Sequence, residues 1–271
     1  MAITTMDQLV AALGAAQDLK IFFPTATTVT GGFLNLNRAV TGGYGQMAIP
    51  TAFGSGGTTY NQSTAGAGFP TWTPAAVGET SYIGGMGASM AAAGSMYVYD
   101  LCWACSGLSG NTNAPQSVVG FSGLPARHAD GVGLEIWVCC STAIGGTAHN
   151  VTVSYTNQAG VAGRTTVSTA GIASMPAARM YQLPLQNGDT GVQSIQSMTL
   201  SAASGTAGNV WLMILERYVG VGCVVANVMV PMDFAATRMA SPDDEACLLF
   251  IHQGTGTSSG VIMGQLDIIQ G

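Results

Sequence analysis

The spacing of apolar positions divides the chain into three stretches. Residues 6–23 read as a helix: Thr5 is a capping residue, Asp7 sits in the first turn, and Leu9, Val10, Leu13 and Ala16 fall on one face. Pro24 is expected to end it, because proline cannot donate to the helical ladder. From 25 to 81 the period disappears, in text such as TGGYGQMAIPTAFGSGGTTYNQSTAGAGFPTWTP. An irregular segment of this length inside a compact domain is unusual unless it has a role of its own. Tyr44, Phe53, Tyr60, Phe69 and Trp72 are spaced along it like anchors on a neighbour, so it is expected to form an extended, glycine-rich arm.

Beyond 81 the period becomes two. Residues 95–103, 132–139, 151–155, 194–201, 209–217, 222–230 and 245–253 read as strands, each bounded by Gly, Pro, Asn or Ser. Strands joined by turns, without helical patterns between them, point to an all-β fold with a β-sandwich or jelly-roll-like body. The organisation expected is a helix and arm over 1–80 and a β-sandwich body over 81–271, separate or as one continuous domain. No fixed-length repeat is present, which argues against a solenoid or propeller.

Composition changes the picture in one respect. Charged residues are only 7% of the chain while apolar residues are 48%, so few groups are left to solvate an isolated subunit. Burial of surface in an assembly is the expectation. The cations are Lys20 and six arginines, with no cluster and a net charge of −6, which excludes recognition of a phosphate backbone. No uninterrupted apolar run long enough to span a bilayer occurs, since Glu216, Arg217 and Asn227 interrupt the most apolar stretch, 210–232. The start lacks a basic segment and carries Asp7 and Asp18, so no signal peptide is expected and the chain reads as cytosolic in origin.

Candidate chemistry is sparse. Asp189-Thr190-Gly191 matches the aspartic-protease triplet, but that chemistry needs a second carboxylate sharing a proton, and the preceding LQNG is turn-forming, so a surface turn is expected. No serine sits in a nucleophile elbow, and His128, His149 and His252 form no paired motif. The ARHADG stretch around Arg127 and His128 reads as a polar loop, 254–260 as a flexible loop, and Ser241-Pro-Asp-Asp-Glu245 as a capped turn. No catalytic, cofactor-binding or metal-binding residues are assigned. Arg164 and Arg217, on strands of a charge-poor chain, are expected to have partners, with Glu135 and Glu216 as candidates.

The stretch SYTNQAGVAGRTT is more specific. With SVVGFSGLPARHADGVGLEIWV and RMYQLPLQNGDTGVQSIQSMTLSA it resembles a family of tailed-bacteriophage virion proteins generally encoded among head and neck structural genes. The resemblance runs from the start to about residue 249 and rests on motifs of moderate specificity. It implies a short N-terminal helical segment, a Gly-rich arm with aromatics, and a β-rich body holding the SYTN-x-x-G-x-x-GRT stretch. It supplies no catalytic residues and no cofactor.

The function it implies is a capsid decoration or cement protein. Such a protein would be assembled in the host cytoplasm and act as a homo-oligomer, a trimer being favoured, on the major capsid protein or other virion proteins. A neck, collar or tail position is the alternative. A third reading is host-glycan binding through exposed Trp72 or Trp103. Arg164 and the five arm aromatics are the expected contacts. Cys102, Cys105, Cys139, Cys140, Cys223 and Cys247 are expected to be buried free thiols. A disulfide among the first four, formed after the particle leaves the reducing cell, stays open. Cys139-Cys140 is not part of the family pattern.

Overall fold

A computed structural model describes residues 3–27, 32–39, 42–206, 208–256 and 259–271. In chain order the elements begin with α1 (Met6–Gly14), β1 (Gln17–Thr27), β2 (Phe33–Asn35), α2 (Leu36–Ala39), β3 (Thr58–Thr59) and α3 (Gln62–Ala65). There follow β4 (Ser81–Met90), β5 (Gly94–Ser109), β6 (Gln116–Ser117), β7 (Glu135–Thr142), β8 (His149–Asn157) and β9 (Arg164–Thr165). The chain continues through β10 (Thr169–Ile172), β11 (Arg179–Leu183), β12 (Val192–Leu200) and β13 (Asn209–Cys223). It ends with β14 (Val230–Met232), α4 (Phe234–Thr237), β15 (Leu248–Gly254) and β16 (Ser259–Gln270). Strands account for 46% and helices for 11%, so the fold is all-β with a short N-terminal helix. No helix of the described residues is long and apolar enough to cross a membrane.

The chain divides into two compact units, and not at residue 80. One comprises Met1–Ala48, Gln62–Asp100 and Tyr218–Gly271; the other comprises Ile49–Asn61 and Leu101–Arg217. The reason is that the N-terminal segments supply strands. In the first unit β1 pairs antiparallel with β16, β16 with β4, and β4 with β14. Facing that sheet, β15 pairs with β2 and with the first part of β5. The two layers meet at Phe23 and Phe250, whose rings pack edge-on with centroids 6.2 Å apart. In the second unit β8 pairs with β9, β10 and β12, and β12 with β6. There β7 pairs with β11 and with the first part of β13. Val151, Val153 and Tyr155 of β8, Ile195 and Met198 of β12, Ile136 and Val138 of β7, and Leu212 and Ile214 of β13 share one buried core.

The expected helix 6–23 is two elements. Thr5 caps α1 with a reciprocal box, its hydroxyl accepting from Gln8 N–H and the Gln8 side chain accepting from Thr5 N–H. The helix stops at Gly14, a poor helix former. Beyond it Leu19, Ile21 and Phe23 turn inward and Asp18, Lys20 and Phe22 outward, the period of a strand. Pro24 sits at the register shift between Phe23 and Ala26, where no ladder donor is required. The expected strand 222–230 is likewise corrected: β13 ends at Cys223, and β14 begins only at Val230.

The glycine-rich segment lies on its own chain, apart from residues 28–31 and 40–41, which are outside the described residues. In the first unit the Ser63 N–H and hydroxyl of α3 donate to the Glu245 carboxylate at 3.0 and 2.7 Å. Asp244 accepts from Ala75 N–H at 3.0 Å and from the Ser81 hydroxyl at 2.8 Å. The acidic turn 241–245 is therefore a clamp on that segment. Earlier, a Cβ on Gly42 would lie 2.7 Å from the Phe23 ring and 2.9 Å from the Phe22 carbonyl oxygen, so only glycine lets the chain run this close to β1.

His252 occupies the interior of the first sandwich, paired with Leu34 on β2 and Met96 on β5 and fully buried. Neither ring nitrogen has a hydrogen-bond partner, and burial pushes the imidazole down to about 4 from its ordinary 6.5. The unfolded chain therefore binds this proton more readily than the folded one between those two values. Stability is expected to fall by about 3 kcal/mol as pH drops through that window. Urea unfolding at pH 7 and pH 4.5 of the parent and of His252→Met checks this, since the variant is expected to lose that part of the pH dependence.

Candidate functional site

The stretch that carries the resemblance folds into a hairpin with a side-chain lock. β8 alternates buried and half-buried positions throughout, which puts Val151, Val153, Tyr155 and Asn157 inside. Asn157 ends the strand and organises the reversal: its carboxamide oxygen accepts from Ala159 N–H at 3.1 Å and Val161 N–H at 3.0 Å. Gly160 supplies the positive φ of 76° on which the turn depends. The chain returns as β9, with Arg164 opposite Tyr155 and Thr165 opposite Ser154. Thr166 then closes the hairpin, its hydroxyl accepting from Val153 N–H at 2.9 Å.

The polar ends of three of these residues converge on Asp189, in the turn that precedes β12. Tyr155 Oη donates to Oδ2 at 2.6 Å and Asn157 Nδ2 to Oδ1 at 2.8 Å. The Arg164 guanidinium forks onto both oxygens, Nε at 2.9 Å and a terminal nitrogen at 3.0 Å. Tyr155 Oη in turn accepts from Gln186 N–H at 2.8 Å, and Gln158 accepts from Thr190 N–H at 3.1 Å. The Asp189 side chain is 3% exposed and that of Arg164 is 27% exposed. The Arg164 hydrogen bonds, with those of Tyr155 and Asn157, hold the Asp189 carboxyl down to about 2. Burial, reinforced by the adjacent carboxylate, pushes the Tyr155 phenol up to about 12.

At neutral pH this carboxylate is ionised and occupied by four donors, so it has no proton to share and no free lone pair directed at a substrate. The arrangement locks the hairpin to the 186–190 turn. One expectation is corrected. The partner of Arg164 is Asp189 rather than Glu135 or Glu216; the Asp-Thr-Gly stretch is the surface turn expected, with Asn187, Gly188 and Thr190 exposed, and additionally its carboxylate points inward. Glu135 accepts from Trp137 Nε1 at 2.8 Å, and Glu216 lies 3.3 Å from His128 Nε2. Tyr155, Asn157 and Asp189 were not singled out from the sequence as one site. The signal available was the scarcity of charge, which makes each buried-strand arginine demand a nearby acid.

Among the expected contact aromatics, Tyr60, Phe69 and Trp72 are buried in their own chain, so they are not available as anchors on a neighbour. Tyr60 also pairs through its backbone with Cys102 and accepts at its carbonyl from Arg127. Tyr44 is half-buried, its hydroxyl bonded to the backbone of Lys20 at the free edge of β1. Phe53 is half-buried against the core of the second unit. Trp103 is fully buried, its Nε1 donating to the Gly56 carbonyl and the Ser122 hydroxyl. With Trp72 and Trp103 both interior, neither offers a face for stacking a sugar.

All six cysteines are free and buried, so no disulfide joins Cys102, Cys105, Cys139 and Cys140. Burial pushes the Cys105 thiol up to about 12 and that of Cys140 up to about 11, far from the thiolate form that reacts.

No family model and no curated protein matches the chain. Among solved structures, that of the infectious bursal disease virus Gx strain aligns with 94% of this chain and 81% of its own, at 9% identity and a TM-score of 0.21. The infectious bursal disease virus VP2 subviral particle aligns with 94% and 80%, at 8% identity and a TM-score of 0.19. The functional reading below rests on this chain's own residues.

Asp189→Ala strands the three side chains that donate to it and is expected to cost about 3 kcal/mol, whereas Arg164→Lys, which keeps the charge but not the fork, is expected to cost less. Urea unfolding at pH 7 measures both; a loss under 0.5 kcal/mol for Asp189→Ala would remove the lock. The carboxyl is held low, so its contribution is present above the ordinary carboxylate range and is lost as pH falls towards 2. The thiols are expected to resist maleimide in the native protein and to react, all six, in denaturant; mass spectrometry counts the adducts.

Proposed function

We propose that the protein is a non-enzymatic structural component of a tailed-phage virion that decorates the capsid exterior and stabilises it by bridging shell subunits. The observation that carries this reading is the coincidence of motif and lock. The residues by which the chain resembles phage virion proteins, Tyr155, Asn157 and Arg164 together with Asp189, all serve to hold one hairpin rigid. What the motif preserves is therefore a shape, as a subunit of an assembly requires. The charge-poor composition supports the same reading, since Ile49, Val77, Val119 and Val224 among others stand in solvent in the isolated chain. A protein of this kind works by burying area: interfaces of about 1,600 Å² repeated over a symmetric shell add up to resistance against bursting.

Its partners would be the major capsid protein and further copies of itself, a trimer suiting a three-fold position, with assembly in the host cytoplasm. A neck or collar position is the second reading and makes the same use of rigidity. Quantitative mass spectrometry of purified virions separates them: hundreds of copies per particle are expected for a shell protein, about a dozen for a collar. Absence of the chain from the particle would overturn both.

A further inference from the structure

Beyond Ile269 and Tyr82, over which α1 packs, the outer face of the sheet β1–β16–β4–β14 is exposed, and its surface is graded. Inward positions Leu19, Ile21 and Phe23 face Phe250 and the core, which leaves Lys20 and Phe22 outside. Phe22 stands opposite Met263 and Met263 opposite Ser89. Phe22 is 46% exposed, Met263 43% and Val261, two residues along β16, 37%. On the far side Pro231 stands opposite Gly87, and Met229, 46% exposed, leans over that glycine with its sulfur 3.2 Å from where a Cβ would be. Ser89 thus floors a shallow groove walled by Phe22 and Met263 on one side and, with Met229 lying over Gly87, by Met229 and Pro231 on the other. The walls stand two strand spacings apart, about 10 Å, the width of a single polypeptide segment.

At one end the groove runs into the loop 224–229, held to β4 by Asn227 N–H on the Met90 carbonyl at 2.7 Å. Val224 is 83%, Val225 54% and Val228 49% exposed there. Together the groove and loop leave on the order of 600 Å² of apolar residue surface open. That is most of the roughly 800 Å² per partner in a stable interface. At the other end Asp18 stands directly opposite Asp267, and the Asp267 carboxylate lies over Gly85. Burial raises the Asp267 carboxyl against the lowering hydrogen bond from Gln265, and the Asp18 charge and a hydrogen bond with the Asp18 side chain raise it further. Like charges facing across a ladder destabilise it. Gln265 donates to Asp267 at 2.6 Å, and no cation among the described residues forms an ion pair with either acid.

We propose that this face docks a segment of another virion protein that lays apolar side chains along the groove and sets a lysine or arginine between Asp18 and Asp267. The identity of the partner as a virion protein rests on the function proposed above; the chemistry of the segment rests on the face alone. A second copy of this chain does not fit. The acidic row, the Lys20 row and the Phe22–Met263 row follow one another at about 7 Å. A two-fold axis that buries the apolar row on itself leaves both acid pairs without a cation. One that sets Lys20 against the acids moves the apolar rows apart.

The test places a photo-crosslinking benzophenone amino acid at position 22 or 263, with position 119 on the other unit as control, and irradiates purified virions carrying the variant. The expected product from 22 and 263 is a crosslink to a different virion protein, at a peptide combining apolar residues with a lysine or arginine. A crosslink to another copy of this chain, or none, overturns the docking face. Absence of the chain from the virions overturns instead the virion reading on which the partner's identity rests. The double variant Asp18→Asn, Asp267→Asn supplies the second readout. It is expected to wash off particles at least tenfold more readily while its Tm is unchanged or higher, because the repulsion is relieved. Unchanged retention overturns the inference, and so does loss of retention together with a lower Tm, which would make the pair a folding element.

Discussion

The first unit depends on the ladder between the two ends of the chain. Gln17 to Phe23 run antiparallel to Ile268 to Ile262, and after the bulge at Pro24 the pairing continues to Thr27 and Ser259. Through this ladder Phe23 reaches Phe250, and Leu266 and Ile262 line the same interior as Met86 and Met90. Closing a chain-length loop costs little more entropy than closing a shorter one, because the cost grows only logarithmically. The sheet that results buries both terminal segments and removes them as appendages. Its open edge is blunted as well: Gly43 N–H bonds the Phe22 carbonyl, and Tyr44 bonds the Lys20 backbone.

Charge is used one group at a time. With only 13 acids and 7 cations, no surface network is available, and the carboxylates act chiefly as acceptors for backbone and hydroxyl donors. Asp244 and Glu245 hold the 62–81 segment. Asp100, fully buried, accepts from Cys247 N–H at 2.8 Å. Asp189 is the full form of the same device, since four donors fill it and two of them belong to the guanidinium that carries the compensating charge. Against that background the Asp18–Asp267 contact stands apart: two acids face each other across the ladder, and among the described residues no cation forms an ion pair with either.

Much of the β architecture was legible wherever one face of a strand is buried. β8 falls on a stretch read from the sequence because alternation is what a half-buried strand imposes, and the first part of β13 because its continuous apolar run is buried on both faces. The reversal at Asn157 and Gly160 was legible for a similar reason, as the chemistry of the turn is local. β1 was misread because α1 ends at Gly14 while its apolar spacing passes into that of the strand without a break. β16 went unread, as its interior Gly264 interrupts the apolar row where only a glycine fits against Gly87 and Ala88. The aromatics between 44 and 72 drew attention by their regular spacing, but spacing carries no information about which chain they are buried in.

By itself the sequence determined the all-β class, the turn chemistry and a composition poor in charge. These follow from local conformational preference and from composition, both of which act over a few residues or over the chain as a whole. Only the tertiary structure decided that the chain forms two units from interleaved segments, that Arg164 belongs to Asp189, and that Asp18 faces Asp267 beside an open apolar groove. The reason is that register and side-chain partnership are set by contacts between residues tens to hundreds of positions apart, and no periodicity in the chain encodes which distant strand will lie alongside.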